Sequence, residues 1–145
     1  MKQEEKDLLL KDLCSRLTYG VKVKFGDSKP ALLTVIEHDE FGWQIGSEDE
    51  FGGMITIIDN VKPYLFPLSS MTEKQKYDFY CRFIENDCDF DDFKEFYLDN
   101  GMWHKLLTSL DDIEAIIDWF NKNHFDYRGL IEKGLAIDAT DKNIY

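Results

Sequence analysis

The sequence is poor in the residues that would assign it a chemistry. Its three cysteines, Cys14, Cys81 and Cys88, are an odd set without the spacing of a metal site or a disulfide framework. On one helix Cys81 and Cys88 would stand about 10 Å apart along the axis, beyond disulfide reach. Reduced, buried thiols are therefore expected. No apolar stretch approaches the roughly eighteen residues of a membrane-spanning helix. Met1 to Asp7 lacks an apolar core and a small-residue cleavage site, so no secretory signal is expected and the expected setting is the cytoplasm. Basic residues are in deficit: 17 Lys and Arg against 29 Asp and Glu leave a net charge of −12. A protein that tracks a phosphate backbone needs a positive field, so nucleic acid is disfavoured as a partner. An acidic surface suits solubility, or contact with a basic protein.

What is present is globular. Apolar residues make up 43% of the chain and aromatics 14%, well above the disordered class. A length of 145 residues suits a single domain, 1–145, able to bury about two thirds of its unfolded surface. The segment Val61–Thr72 divides it. Before it apolar residues recur every second position; after it they recur every three or four. Pro63 and Pro67 bar a helix and an inner strand there, and Thr72-Glu73-Lys74-Gln75 fits a capping box.

In chain order, Leu10, Leu13, Cys14 and Leu17 predict the buried stripe of a helix from Glu4 to Leu17, stopped at Tyr19-Gly20. Val21, Val23 and Phe25 alternate with Lys22 and Lys24, as in a half-buried strand. Ala31 to Ile36 reads as one central strand, Trp43 to Ile45 and Met54 to Ile58 as two more, and Val61 to Leu65 as an edge strand. Gly46 to Gly53 is an acidic loop. The helical portion has stripes at Tyr77, Tyr80, Cys81 and Ile84, widened by Phe83, then at Phe90, Phe93, Phe96 and Tyr97, with Asn100-Gly101 as a stop. Met102 to Leu107 fits neither period. Ser109 is the expected cap of a helix with stripe Ile113, Ile116, Ile117 and Phe120, and Asp126 of a short helix ending at Lys133-Gly134. The class is α+β: an N-terminal helix, a small antiparallel sheet of four or five strands, then three or four helices. Element order alone also fits a partly open SH3- or Sm-like barrel. The expected parts are 1–68 with helix and sheet, 69–137 helical, and 138–145 as a frayed tail.

No nucleophile, base and orienting group converge. Asp87, Asp89, Asp91 and Asp92 resemble the opening of a calcium loop, but the sixth and twelfth places from Asp87 hold Asp92 and Leu98 instead of Gly and Glu. His38, His104 and His124 have no helical zinc spacing, so neither metal nor cofactor is expected. Ser69-Ser70 lacks the glycines of a nucleophile elbow, and Gly52-Gly53 lacks the Lys-Ser/Thr of a phosphate loop. Trp43, Trp103 and Trp119 are core candidates, Trp119 also an interface candidate.

Three segments resemble an uncharacterised family of small proteins found in Bacteroidales genomes and their phages and mobile elements. They are Leu8–Val23 in part, Lys62–Thr72, and His124–Ala136 with its His-Phe-Asp-Tyr-Arg-Gly-Leu core. Relatives of that kind carry Arg where Phe66 stands and His where Asn123 stands. The resemblance implies a source and an intracellular setting and transfers no catalytic residue. Within it His124, Asp126, Tyr127 and Arg128 are the candidate binding residues. His124 and Asp126 can equally serve as helix caps. Arg128 can hold a carboxylate across the two halves, or contact a ligand or partner.

The leading expectation is a non-enzymatic module that binds another protein, in one version by mimicking nucleic acid. One alternative is a small hydrolase or ligand-binding enzyme between sheet and helices, using His104, His124, Asp126 or Arg128. The other is a nucleic-acid-binding barrel that uses Lys22 and Lys24. Oligomeric state is not legible.

Overall fold

In the computed structural model, which describes residues 1–47, 53–84, 88–102, 105 and 112–145, helix α1 runs Gln3–Arg16. Its buried residues are Leu9, Asp12, Leu13 and Arg16. That face is rotated by one position from the purely apolar stripe. The rotation is tolerated because Asp12 and Arg16, one turn apart, neutralise each other as they enter the core. Cys14 is consequently exposed rather than buried, as is Cys81. A 3₁₀ turn at Leu17–Tyr19 leads to Gly20, whose φ of +70° suits glycine and ends the element.

Strand β1, Lys22–Phe25, keeps the expected alternation, with Val23 and Phe25 inward. The predicted central strand from Ala31 to Ile36 is instead two edge strands, β2 (Ala31–Leu32) and β3 (Val35–Asp39), in different sheets. The chain bends between them: Leu33 donates its amide to Val21 while Thr34 donates to Gly46. β4 (Gly42–Ser47) and β5 (Met54–Ile57) complete a three-stranded antiparallel sheet ordered β3-β4-β5. After a 3₁₀ turn at Ile58–Asn60 comes β6 (Val61–Leu65). The second sheet is ordered β2-β1-β6-β7, where β7 is Ile137–Asp138 and lies parallel to β6.

β6 is therefore an inner strand, although it contains Pro63. The register explains why. The Gly26 amide bonds the Asn60 carbonyl, so in this antiparallel pair positions 24/62 and 22/64 also face each other through their backbone polar groups. The Pro63 nitrogen then points away from β1, towards the side where β7 reaches only Tyr64 and Leu65. No ladder bond is lost. At position 22/64 the Tyr145 hydroxyl sits in the ladder itself, accepting from the Lys22 amide (3.0 Å) and donating to the Tyr64 carbonyl (2.8 Å). Residues 138–145, expected to fray, thus carry the second residue of β7 and this bridge.

The chain divides into two compact units, Met1–Pro67 with Asn121–Tyr145, and Leu68–Phe120. The core of the first includes Leu9, Leu13, Val23, Ile45 and Leu65, together with Leu130 and Leu135 from the returning segment. Each such side chain contributes about 1.5–3 kcal/mol by burial. The expected helix after Asp126 is a run of turns, with both Asp126 oxygens accepting amides, from Leu130 (2.9 Å) and Ile131 (2.8 Å).

In the second unit α2 spans Glu73–Phe83, and its capping box forms as expected: Gln75 N–H bonds Thr72 Oγ1 while Gln75 Oε1 accepts the Thr72 amide. Its buried residue is Phe79, while Tyr77 and Cys81 of the expected stripe are exposed. Phe79 collects the aromatic core: Phe93 of α3 (Phe90–Phe93), and Trp119 and Phe120 of α4 (Ile113–Lys122), lie with ring centres 5.1–6.0 Å away. Phe96, in a π-helical turn at Lys94–Asp99, is exposed. Asp89 caps α3 by accepting the Asp92 amide, and Asp112 accepts from Ala115 at the start of α4. Asp87, Trp103, His104 and Ser109, most of the Gly46–Gly53 loop and much of Met102–Leu107 lie outside the described residues. Among the described residues no helix is long and apolar enough to cross a membrane.

Candidate functional site

The segment after α4 turns sharply because His124 takes a left-handed conformation, φ +58°. Its carbonyl then accepts the Phe66 amide, and Phe66 in turn accepts the Asp126 amide, locking the segment onto the end of β6. This puts His124, Asp126, Tyr127 and Arg128 next to α1. Asp12, fully buried, accepts from Arg16 Nε (2.8 Å) and Nη2 (3.1 Å). Arg128 Nε approaches the same carboxylate at 3.2 Å, within ion-pair distance but off the line of a hydrogen bond. Arg16 Nη2 also donates to the Phe125 carbonyl (2.7 Å). The Tyr127 ring lies under both guanidiniums, 5.3 Å from Arg16 and 4.7 Å from Arg128, and its hydroxyl accepts from Arg128.

Arg128 thus holds a carboxylate, and its partner Asp12 belongs to the same unit, because residues 121–145 return to the first unit. Two guanidiniums share one carboxylate, a local excess of positive charge inside an acidic chain. That excess and burial hold His124 well below its usual range. Burial is the larger cause and Arg16 the second, and the pKa falls to about 4. The imidazole is neutral at pH 7 and stacks flat on Tyr145, ring centres 3.9 Å apart. Burial pushes the Tyr145 phenol up to about 12. Within the motif Asp126 is engaged by two amides and Tyr127 and Arg128 by each other, while His124 stacks on Tyr145 and its buried Nδ1, like Arg128 Nε, makes no hydrogen bond. The arrangement is a clamp between α1, β6 and the returning segment. Sequence reasoning missed Asp12 and Arg16, whose signal was an acid and a base at i, i+4 on the helix that carries the motif's neighbour.

The second candidate is a surface. Between Pro30 and Val61 the sequence has acids at Glu37, Asp39, Glu40, Glu48, Asp49, Glu50 and Asp59 and neither Lys nor Arg. The same span carries large exposed apolar side chains: Phe41 (77% exposed), Ile55 (56%), Ile57 (43%) and Trp43 (40%). Trp43, expected in the core, instead stands at the β3–β4 turn with its ring edge-on to His38 at 4.9 Å. Phe41, Trp43 and His38 line a cavity of about 400 Å³ together with Asp7, Ile57 and Asp59. Asp59 is paired with Lys6 at 2.6 Å, and that bond chiefly lowers its pKa. The absence of bases over thirty positions was legible and went unread.

Lys22 is turned to other use: its amine donates to the Ile144 carbonyl at 2.7 Å. Among the described residues, no group of three or more His, Cys, Asp or Glu is arranged to hold a metal ion. No protein-family model, curated protein or solved structure matches the chain.

Proposed function

We propose that this chain is a non-enzymatic protein-interaction module of the cytoplasm, from the Bacteroidales phage or mobile-element family that its motifs resemble. The observation that carries the reading is the coincidence, on one small sheet, of exposed aromatic and aliphatic side chains with a span free of basic residues. Exposed apolar patches of this kind mark contact surfaces, and like-signed charge around them selects partners of the other sign. The first unit is read as a partly open SH3- or Sm-like barrel. The bent β2–β3 passage and the 3₁₀ turn between β5 and β6 support that reading.

The test is quantitative co-purification from Bacteroidales extract, comparing the native chain with a Phe41→Ser/Trp43→Ser variant. One or a few basic proteins, retained by the native chain and lost by the variant, are expected. Equal recovery by both, or none by either, overturns the reading.

A further inference from the structure

The four sheet edges are guarded unequally. β2 is only two residues long, β7 is equally short and continues into the Ala139–Leu65 bond, and β3 carries Glu37 and Asp39. β5, Met-Ile-Thr-Ile, has no Lys, no Pro and no charge, the devices that normally blunt an edge. Among the described residues its single sheet neighbour is β4.

The register shows which of its backbone groups are open. Asp39 and Gly42 close a two-residue hairpin, so Gly42, Gln44 and Gly46 turn their backbone groups to β3. The Thr34 amide on the Gly46 carbonyl agrees with this. Trp43, Ile45 and Ser47 therefore turn theirs to the β5 side, where Ile45 meets Thr56 and Ser47 meets Met54. The N–H and C=O groups of Ile55 and Ile57 point away from β4, to the open edge. The side chains of the same two residues lie on the solvent face, in rows with Val35 and Gly46 and with Glu37 and Gln44. Gly46 has no Cβ, and one placed there would lie 3.0 Å from Ile55 Cγ1, so Ile55 lies down over the strand.

Resting on the interaction-module reading, we propose that β5 is a docking edge for an extended segment of a basic protein, which adds to the sheet as a fourth strand. The open amides and carbonyls of Ile55 and Ile57 bind its backbone, and its alternate apolar side chains continue the Val35–Ile55 and Ile57 rows. Its Lys or Arg residues meet the acidic field to which Glu37, Asp39 and Glu40 of the 30–61 span contribute. A second copy of this chain is a poor occupant, because it brings the same acidic sheet, with Glu37, Asp39 and Glu40, to the contact.

The full chain is titrated with a ten-residue peptide of alternating Lys and Val, with the matching Glu/Val peptide, and with a Lys/Val peptide N-methylated at alternate amides. Hydrogen exchange of the Ile55 and Ile57 amides is read by NMR. The expected result is binding of the Lys/Val peptide with slowed exchange at both amides, and a loss of about tenfold or more on N-methylation. Ile55→Lys should abolish binding; should that variant not fold, the exchange data on the native chain decide. Equal binding of the Glu/Val peptide, indifference to N-methylation, or no binding overturns the proposal. So does protection that grows with protein concentration alone, which would make a second copy the occupant. Binding that perturbs Phe41 and Trp43 while leaving Ile55 and Ile57 unprotected sinks strand addition and leaves the interaction module standing.

Discussion

Tyr145 donates its hydroxyl to the Tyr64 carbonyl at 2.8 Å, and accepts the Lys22 amide at 3.0 Å, so one phenol replaces a direct bond between β1 and β6. Tyr145→Phe removes the bridge and leaves a donor and an acceptor without partners. A loss of about 1–2 kcal/mol is expected in urea unfolding, with faster hydrogen exchange at the Lys22 amide. The phenol's folded pKa is raised from 10.0 to about 12. Its contribution is therefore present below about pH 10 and lost as pH climbs towards 12, which an ultraviolet titration of folded and denatured protein will show.

His124 gives the opposite limb. Its pKa falls from 6.5 unfolded to about 4 folded, so the unfolded chain takes up the extra proton. The stability tied to it is complete above about pH 6.5 and declines as pH drops towards 4. His124→Asn keeps a residue that accepts the left-handed backbone while removing the titration. The urea midpoint of that variant should vary less between pH 7 and pH 4.5 than that of the native chain; identical slopes would refute the assignment.

Asp12 and Arg16 make a third case. Asp12→Ala leaves two guanidiniums facing an empty position, one of them fully buried, and should cost about 3–5 kcal/mol. Asp12→Leu combined with Arg16→Met should recover part of that loss, since it removes the fully buried guanidinium and leaves only Arg128, which is partly exposed, without the carboxylate. A double variant as unstable as the sum of its singles would show that the two residues are not coupled and would refute this reading of the pair.

The same pair shows where sequence reading stopped. Alternation in β1, the Gly20 stop and the Thr72–Gln75 box were legible because each is set by neighbours within a few residues. The buried face of α1 was not. Ranking positions by apolarity selects Leu10 and Cys14, while the fold buries Asp12 and Arg16, whose charges cancel only once both are placed. Phe79 was passed over in the same way, because Tyr77 and Cys81 offered an equally good period. β7 is two residues long and its partner lies more than seventy positions away, so no local pattern marks it. Of the candidate site, the motif His124–Arg128 could be located in the sequence, but its partners on α1 could not.

Gly46→Ala tests the packing of the three-stranded sheet. An added Cβ would stand 2.9 Å from the Met54 carbonyl oxygen, a backbone atom that cannot step aside without moving β5. A destabilisation of about 1–3 kcal/mol is expected, measured as a lower denaturant midpoint, with altered amide shifts at Met54 and Ile55.

Thr72→Ala removes the hydroxyl that takes the Gln75 amide and should cost about 0.5–2 kcal/mol. Thr72→Ser should restore most of it. Loss of helicity localised to Glu73–Phe83 by exchange would confirm that the cap acts on α2.

The strand order sets a timetable for folding. β6 waits beside β1 with its other flank bare until residues 137 and 138 have been made, long after its own synthesis. Because distant contacts of this kind close slowly, the emerging chain passes through a stage in which Tyr64 and Leu65 offer unmatched peptide groups. Chaperone dependence during translation, relieved once β7 has emerged from the ribosome, is the physiological trace such a delay would leave.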